Sequence, residues 1–413
     1  MTQTQPTIHH VSSAPFGGGA ARAGYRLHKG LLNAQQDSHW IQARWPIAES
    51  KQHSNWLKPK RKKWLFHFRK NKKPSLMRKA FKGCQTCATS PESWGNAELF
   101  LSKKRPDLYN FHWVGEFLDW PSTLPTLTQS TPIVWTLHDI NPLQGAWHYD
   151  PLKDEINNER DQWDVYARQL KQKALQAVAP ERLTFVGPSQ WMVDQCRKSE
   201  LTKRFNSIHI PYGLNTNRFS PIDKMTAKAA LGIPPTRQVI GFIADSVTDP
   251  RKGIHLLNQA LQHIKKTAPL LLTVGKHATS MPSAIQQLNL GSIQEDRLLR
   301  IFYSACDIFI CPSLQDNLPN TVLESMACQT PVIAFDIGGL SDMVRPGVSG
   351  YLLPEQDTHQ LSAAITHALS TPDELQSLGA GARALITSEF DQSLQATRYT
   401  KLYQDMLNAT KNQ

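Results

Sequence analysis

Short apolar runs that alternate with amphipathic helical segments restrict the fold of this 413-residue sequence more than any other feature. The runs PIVWT (132–136), LTFVG (183–187) and QVIGFIA (238–244) are each followed by polar residues or proline, and GIHLLNQALQHIKK (253–266) repeats apolar residues at helical spacing. LLLTVG, DIFICPS and PVIAFD are further runs of this kind. The alternation predicts an α/β fold of doubly wound parallel sheets, with ligand-binding groups beyond the carboxyl ends of the strands.

Two domains are predicted, because a chain of this length exceeds one ordinary hydrophobic core. All eleven tryptophans lie at or before Trp191, and the strand–helix alternation restarts after a Pro-, Asn- and Gly-rich connection at 208–221. We predict an N-terminal Rossmann-like domain over residues 1–213 and a C-terminal one over 214–388. Residues 389–413 are predicted to form a C-terminal helix that packs back on the N-terminal domain.

The composition is that of a globular protein, with 40% hydrophobic and 19% charged residues. No stretch approaches the ~18 continuous apolar residues of a membrane span. The first residues, MTQTQPTIHHVSS, lack a charged and then apolar signal segment, so we expect a cytoplasmic protein. Six scattered cysteines do not form a disulfide framework, and the lone pair Cys84-x-x-Cys87 is interpreted as reduced thiols rather than as a zinc site.

The formal net charge of +12 belongs to one segment, residues 51–82, which contains thirteen Lys or Arg and no Asp or Glu. Aromatic residues such as Trp56 and Trp64 lie between the cations, and Pro59 and Pro74 are predicted to confine any helix to the stretch between them. One interpretation is a solvated loop. The other is an interfacial element that meets an anionic membrane or a diphosphate-bearing acceptor. Because the rest of the chain has no basic surplus, we expect no nucleic-acid partner.

A glycine turn near the N-terminus has the order of a nucleotide-binding motif. The β-prone residues 7–11 are followed by Gly17, Gly18 and Gly19 and then by the helix-prone AARAGYRLHKGLL. Strand, glycine loop and helix open many nucleotide-binding folds. Glycine-rich turns are common, so this motif alone does not distinguish a binding site from a plain turn.

The segment 311–353, CPSLQDNLPNTVLESMACQTPVIAFDIGGLSDMVRPGVSGYLL, has the order strand, acidic loop, helix, strand and double-glycine turn. Asn320 and Thr321, after a proline, suit a helix start, where backbone N–H groups and the helix dipole would favour a diphosphate. Glu324, one turn inside that helix, is suited to accept hydrogen bonds from ribose hydroxyls.

The same segment resembles the donor-binding core of family 4 glycosyltransferases. These are retaining enzymes of GT-B architecture, in which two Rossmann-like domains face across a cleft. Their hallmark is two carboxylates eight positions apart, Glu-x7-Glu, and Asp316 and Glu324 stand at those positions. DPRKG, IPYGLNTNRFSP, VGPSQW and VWTLHD extend the resemblance over most of the chain, whereas residues 35–110 resemble nothing specific. WTLHD with HYD shortly after it is similar to bacterial colanic-acid and capsule-type members.

The resemblance assigns roles to single positions. Glu324 matches the ribose-binding glutamate, Lys252 the lysine that grips the diphosphate, and His138 the N-domain histidine at the donor sugar. The implied site comprises the catalytic residues His138 and Asp316 and the donor-binding residues Gly17, Gly18, Gly19, Arg251, Lys252, Asn320, Thr321, Glu324, Gly338 and Gly339.

Three positions depart from the family pattern. Asp316 is one methylene shorter than the usual glutamate, which bears on the preference for the donor sugar. Asp245 and Ser246 stand where an arginine often precedes the lysine, so Lys252 and Arg251 would carry the charge of the diphosphate site. Asn215 replaces a common aspartate.

The implied function is transfer of a sugar, with retention, from a UDP- or GDP-sugar to a hydroxyl of a glycan or lipid-linked acceptor in polysaccharide or cell-surface glycan biosynthesis. The departing phosphate would deprotonate the acceptor. No D-x-D triplet occurs, so we expect metal-independent transfer without a cofactor, in the cytoplasm or peripherally on the inner face of the plasma membrane. The alternatives are a GT-B epimerase or phosphorylase, or a basic membrane- or nucleic-acid-binding protein with a degenerate transferase domain.

Overall fold

The computed structural model describes residues 5–13, 18–43, 55–56, 73–101, 105–246, 249–264, 269–276, 285–354 and 356–411. The chain forms two compact units: unit 1 is Met1–Pro211 with Gln395–Gln413, and unit 2 is Tyr212–Leu394. The first division lies between Pro211 and Tyr212, inside the Pro-, Asn- and Gly-rich connection. The last residues of the chain belong to unit 1.

Unit 1 is built on a parallel sheet whose interior strands are short and buried on both faces. Its strands are β1 (Ile8–Ser12), β2 (Ser38–Gln42), β3 (Asn55–Trp56), β4 (Leu108–Phe111), β5 (Ile133–Thr136), β6 (Leu183–Gly187) and β7 (Asn206–His209). They pair in the order β3-β2-β1-β4-β5-β6-β7. The chain therefore leaves β1 toward one edge and returns at β4 toward the other, which makes β1 and β4 the topological switch point of this sheet.

Some helices of unit 1 begin at short polar side chains that cap them. Asp119 accepts a hydrogen bond from the backbone N–H of Ser122, and Ser189 accepts one from that of Met192. The helices are α1 (Gly19–Asn33), α2 (Lys73–Ala80), α3 (Ala97–Leu101), α4 (Trp120–Leu127), α5 (Asn158–Gln176) and α6 (Gln190–Lys198), with the last helix of the chain, α14 (Gln392–Lys411).

Helix α14 is held to the sheet of unit 1 by apolar and polar contacts. Tyr399 and Tyr403 are buried in a cluster with Ile8 of β1. The Tyr399 hydroxyl lies 2.9 Å from that of Thr136, and the amide of Asn110 donates to the Tyr403 hydroxyl at 2.7 Å. These hydrogen bonds satisfy polar groups that are buried between helix and sheet. Together with the apolar packing, they fix the position of the helix.

Unit 2 repeats the architecture with a parallel sheet in the order β10-β9-β8-β11-β12-β13. Its strands are β8 (Val239–Ser246), β9 (Leu270–Lys276), β10 (Gln287–Asn289), β11 (Ile308–Cys311), β12 (Val332–Phe335) and β13 (Gly350–Leu353). Its helices are α7 (Lys224–Ala230), α8 (Ile254–Gln262), α9 (Asp296–Ala305), α10 (Asn320–Ala327), α11 (Leu340–Met343), α12 (Thr358–Ser370) and α13 (Pro372–Glu389). Here β8 and β11 form the switch point. The prediction of two doubly wound α/β sheets is confirmed.

One prediction about the basic segment is wrong. Helix α2 starts at Lys73 and continues through Pro74 to Ala80, where the sequence analysis expected a proline boundary. Proline in the first helical turn removes no intrahelical hydrogen bond, so Pro74 starts the helix rather than ending one. The predicted helix between Pro59 and Pro74 falls almost entirely on residues 57–72, which lie outside the described residues.

All six cysteines are free thiols, as the sequence analysis expected. Across the part of the chain that the structure describes, no helix combines the length and the apolar character needed to cross a bilayer.

Candidate functional site

The predicted donor-binding residues of unit 2 gather at its switch point. The turn Pro250–Lys252 follows β8, and the loop with Asp316 follows β11, its neighbour in the sheet. The chain turns to opposite sides after these two strands, and in open parallel sheets the crevice at such a carboxyl edge is the usual place for a ligand.

Lys252 and Asp316 form an ion pair across this crevice. The ammonium nitrogen lies 2.5 Å from the Oδ2 atom of Asp316, and the side chains are 23% and 11% exposed. Burial by itself would raise the pKa of Asp316, but the cations of Lys252 and Arg251 lower the pKa below its ordinary value. The aspartate is therefore ionised, and the two loops are joined by opposite charges with little solvent screening.

Close backbone packing fixes the position of Lys252. The next residue, Gly253, has a φ of 71°, and a Cβ atom there would lie 1.8 Å from the carbonyl oxygen of Pro312. The backbone N–H of Leu314 donates to the carbonyl of Arg251 at 2.8 Å. Only glycine allows this approach, so the sequence Lys-Gly docks the lysine against the β11 loop.

The double glycine has a related structural reason. Gly338 has a φ of 54°, and a Cβ atom there would lie 1.8 Å from the carbonyl oxygen of Asp316. The N–H of Gly339 donates to the carbonyl of Asn317 at 2.7 Å. Gly338 is thus required by contact with the Asp316 loop, which the sequence analysis did not foresee. The donor-binding role of Gly338 and Gly339 stays a prediction.

Arg251 braces the same loops. Its guanidinium donates to the Oδ2 atom of Asp249 and to the carbonyl of Gln315, both at 3.2 Å. The side chain therefore ties the turn after β8 to the loop after β11. Its contribution to an anion site is the positive charge that it places beside Asp316.

Glu324 lies in the second turn of α10 and is 2% exposed. The hydroxyl of Tyr303 donates to its Oε2 atom at 2.8 Å, which orients the carboxylate. Asn320 and Thr321 begin the helix as predicted, and the N-cap Pro319 supplies no side-chain hydrogen bond. The N-terminus of α10, where the helix dipole is positive, therefore lies at the end of the Asp316 loop. Tyr303 was not found from the sequence, where it reads as an apolar residue of α9.

Three histidines of unit 1 form a row at its switch point. His138 follows β5, His112 follows β4 directly, and His10 lies in β1. The Nε2 atom of His138 lies 3.0 Å from Nδ1 of His112, and the Nε2 atom of His112 lies 2.9 Å from Nδ1 of His10. The sequence analysis singled out His138 alone. His112 comes directly after the run LYNF (108–111). A polar residue at the end of such a run is the sequence signal that would have identified it.

All three rings are neutral at pH 7. Burial lowers the pKa of His138 to about 4, although the neighbouring Asp139 carboxylate opposes the shift. Burial, followed by the nearby histidines, holds the pKa values of His10 and His112 well below the ordinary value. The row is therefore a chain of imidazoles and carries no charge.

The carboxylate of Asp139 is the centre of a hydrogen-bonded cluster beside His138. Its Oδ2 atom accepts from Nδ1 of His148 at 2.6 Å and from the indole N–H of Trp113 at 2.8 Å, and its Oδ1 accepts from the N–H of Asn141 at 3.0 Å. Burial would raise the pKa of Asp139, but His148 and these hydrogen bonds lower it, so the carboxylate stays ionised. The sequence analysis quoted Asp139 in VWTLHD without giving it a role.

Two adjoining cavities open on unit 1. One, of about 360 Å³, is lined by His112, His138 and Asp139, among others. The other, of about 620 Å³, is lined by residues of α2 and of the chain that follows it. Thr89 and Ser90 line both cavities, so the two are adjacent.

The glycine turn is only partly described. Gly18 is the N-cap of α1, with an extended backbone, and Gly19 is the first helical residue. Gly17 lies outside the described residues. The predicted strand before these glycines and the predicted helix after them are confirmed, and the donor-binding role of the glycines stays a prediction.

The comparisons with known proteins agree with this placement. The sequence profile of the family "Glycosyl transferases group 1" matches residues 237–371, which span unit 2 from β8 to α12. Unit 2 therefore contains a domain of the group 1 glycosyl transferases, and the protein is a glycosyltransferase. The matched region contains the turn with Lys252, the Asp316 loop and Glu324, so the family match covers the crevice just described.

Similar proteins extend over both units of the transferase. The D-inositol 3-phosphate glycosyltransferase of Thermobispora bispora is 26% identical over 331 residues, which are 73% of this chain and 70% of that protein. The sucrose-phosphate synthase of Thermosynechococcus elongatus has a TM-score of 0.71 at 21% identity, over 98% of this chain and 100% of that one. The Anabaena protein HepE, solved with UDP-glucose, has a TM-score of 0.63 at 15% identity, over 97% and 100%. The fold of the transferase is GT-B.

Proposed function

We propose that this glycosyltransferase moves a sugar from a UDP- or GDP-sugar to a hydroxyl of a glycan or lipid-linked acceptor, with retention of configuration, in polysaccharide or cell-surface glycan biosynthesis. The observation that carries the proposal is the crevice of unit 2, where Lys252 pairs with Asp316 in the loop that leads into α10, the helix that carries Glu324. The UDP-glucose bound to the HepE protein favours a UDP-sugar as the first donor to test.

The donor site would work by charge and hydrogen bonding. The diphosphate of the donor is already anionic and gains one further negative charge as it departs, and Lys252, Arg251 and the N-terminus of α10 are the positive groups of the crevice. Glu324, oriented by Tyr303, would accept hydrogen bonds from ribose hydroxyls. Asp316 holds Lys252 in place and would lie near the donor sugar. Because Asp316 is ionised, it would stabilise the positive charge of an oxocarbenium-like transition state.

Unit 1 would bind the acceptor and would contact the donor sugar. His138 is proposed to hydrogen-bond the transferred sugar. The neutral ring is suited to a directed hydrogen bond and not to charge neutralisation. The proton of the acceptor hydroxyl would pass to the departing phosphate oxygen. The acceptor oxygen then forms the new bond to the anomeric carbon as the bond to the phosphate breaks.

The larger cavity of unit 1 has the chemistry of a carbohydrate site. Serine hydroxyls and the carboxylates of Glu92 and Glu116 offer hydrogen-bond partners to sugar hydroxyls, and Met77 and Phe81 offer apolar surface to the C–H faces of a ring. We propose that this cavity holds the acceptor and that its hydroxyl reaches the cavity of His138 past Ser90. Residues 35–110, which resemble nothing specific, would then determine acceptor choice.

A substitution at the junction of the cavities tests the acceptor site. Ser90→Leu should raise the KM of p-nitrophenyl glycosides used as acceptors and leave the KM of the donor unchanged. Ser75→Leu, an exposed position on α2, is the matched control. If the two variants have the same acceptor KM, the acceptor binds elsewhere.

The basic segment would bring the enzyme to a membrane that carries a lipid-linked acceptor. Each cation near anionic lipid contributes about 1 kcal/mol, and the aromatic residues add apolar contact. Lys60, Arg61, Lys62 and Lys63 lie outside the described residues. Vesicles of anionic lipid should bind the protein at low salt and release it near 0.5 M, and replacing these four residues with Ser should weaken binding. A protein that ignores such vesicles at low salt would leave the segment a solvated loop.

A screen of donors tests the proposed reaction. The protein is incubated with UDP- and GDP-sugars and a panel of simple glycoside acceptors, and mass spectrometry identifies both the nucleoside diphosphate and the glycosylated product. The proposal predicts product with the same anomeric configuration as the donor. An epimerised nucleotide-sugar without acceptor consumption would identify an epimerase instead.

A further inference from the structure

The row of histidines restricts where its protons can be. A neutral imidazole has one N–H, and each N···N hydrogen bond needs one proton between its nitrogens. His112 uses both ring nitrogens in hydrogen bonds, at 2.9 Å to His10 and at 3.0 Å to His138. It therefore donates in one bond and accepts in the other. Only two arrangements of the whole row satisfy this condition, and they differ in direction.

In the first arrangement His10 donates from Nδ1 to His112, and His112 donates from Nδ1 to His138. The Nε2 atom of His138 then accepts, so its own proton lies on Nδ1. In the second arrangement every bond is reversed, and His138 is protonated on Nε2. The two arrangements differ at the far end of the row. The Nε2 atom of His10 carries no proton in the first arrangement and carries one in the second.

The far end of the row decides between them. The Nε2 atom of His10 is buried and has no hydrogen-bond partner among the described residues. Its ring lies nearly parallel to the rings of His112 and Trp40 and meets Tyr403 edge-on. The first arrangement leaves a bare nitrogen there, whereas the second leaves an unpaired N–H. Buried N–H groups without a partner are rare in proteins, because their desolvation is not compensated.

We propose that His10 and His112 are positioning residues that fix His138 in the tautomer with its proton on Nδ1. In this tautomer Nδ1 of His138 is a hydrogen-bond donor, and its Nε2 accepts from His112. A ring held in this way has no free basic nitrogen, so it cannot take the proton of the acceptor hydroxyl. This assignment deepens the proposed function, because the catalytic consequence rests on His138 contacting the donor sugar.

The tautomers can be read directly by nuclear magnetic resonance. Long-range ¹H–¹⁵N correlation of histidine-labelled protein at pH 7 distinguishes the protonated from the bare ring nitrogen. The expected spectrum shows His10, His112 and His138 all protonated on Nδ1. A proton on Nε2 of His112 or His138 would overturn the proposal. This measurement uses the wild-type chain and does not depend on any activity.

A variant tests whether the row acts on His138. His10→Phe removes the donor at the far end, so His112 should no longer be fixed, and His138 should populate both tautomers. We expect kcat to fall about tenfold, the equivalent of one hydrogen bond, with little change in the KM of the donor. His28→Phe is the control, because His28 is also buried but hydrogen-bonds Ser38 outside the row.

The outcomes separate the two proposals. If His10→Phe leaves the His138 resonances of the wild type unchanged, His10 does not position His138. If the tautomers are as expected but His138→Ala transfers normally, the order of the row stands and the proposed role of His138 in transfer fails. If His10→Phe does not fold, the wild-type spectrum alone decides.

Discussion

The ammonium of Lys252 and the carboxylate of Asp316, 64 positions apart in the sequence, lie 2.5 Å apart at the switch point of unit 2. The pair joins the loops that follow β8 and β11, and the burial of Asp316 limits screening by solvent. A diphosphate at this point would add a second anion to the same lysine. Lys252 therefore has a structural role, in its pair with Asp316, and a proposed role in binding the donor diphosphate.

Replacing Lys252 tests this relationship. Lys252→Ala should lower kcat/KM for the donor by on the order of tenfold to a thousandfold, about 1.4–4 kcal/mol, because the diphosphate loses a charged partner. Lys224→Ala is the matched control. Lys224 pairs with Asp307 at 2.9 Å, but Asp307 precedes β11 and so lies at the opposite edge of the sheet. Equal activity of the two variants would remove Lys252 from the site.

His138→Ala should impair transfer more than nucleotide binding, because the proposed contact is to the sugar. Turnover and the Kd of the nucleoside diphosphate are measured separately, by product formation and by calorimetry. The expected result is a reduced kcat with an unchanged Kd. Parallel loss of both, together with a lower Tm, would instead indicate a structural histidine.

Acid should destabilise unit 1 through its buried histidines. Burial lowers the pKa values of His28 and His138 to about 4, so between pH 6.5 and 4 the unfolded chain binds protons that the folded chain does not. The free energy of unfolding therefore decreases as the pH is lowered through this window, by about 2 kcal/mol per histidine between pH 7 and pH 5.

Tryptophan fluorescence follows this unfolding in unit 1 alone, since all tryptophans lie at or before Trp191. Denaturation curves at pH 7 and pH 5 should show a smaller loss in His28→Gln than in the wild type. His209→Gln, at an exposed position of β7, is the control and should keep the full loss. Identical pH dependence in all three proteins would contradict the pKa assignment.

Transfer should proceed in EDTA, because the proposed site neutralises the diphosphate with Lys252, Arg251 and the N-terminus of α10. The rate is measured with and without chelator, and again after addition of Mg²⁺ or Mn²⁺. Activity abolished by EDTA and restored by either ion would show that a metal takes part in transfer.

The sequence predicted the strands, and the order of loop and helix from Asp316 to Glu324, because these signals are local. The runs at β6 and β8 are continuous and apolar, and the segment from Asp316 to Glu324 keeps its family spacing within one loop and one helix. The place of each strand and of the loop after it in an open parallel sheet then follows from their order along the chain. Pro74 was misread because proline both ends helices and starts them, and only the surrounding packing decides which.

The contacts that complete the sites were beyond the sequence because they join distant segments. His10, His112 and His138 come from three strands, and their hydrogen bonds depend on the order β1-β4-β5, which no single motif shows. Tyr303 reaches Glu324 from another helix. Lys171, fully buried in α5, donates to backbone carbonyls of the loop after β5, and its residue type argues against burial.

Binding of nucleotides with and without ribose hydroxyls tests the central claim most directly. Calorimetry compares UDP with 2′,3′-dideoxy-UDP, or the guanosine pair if the donor screen selects GDP, on the wild type and on Glu324→Gln. The account predicts that the wild type prefers the ribose form by about tenfold or more and that Glu324→Gln binds both forms equally weakly. A wild type that binds both forms equally, or a Glu324→Gln variant that keeps the full preference, would contradict it.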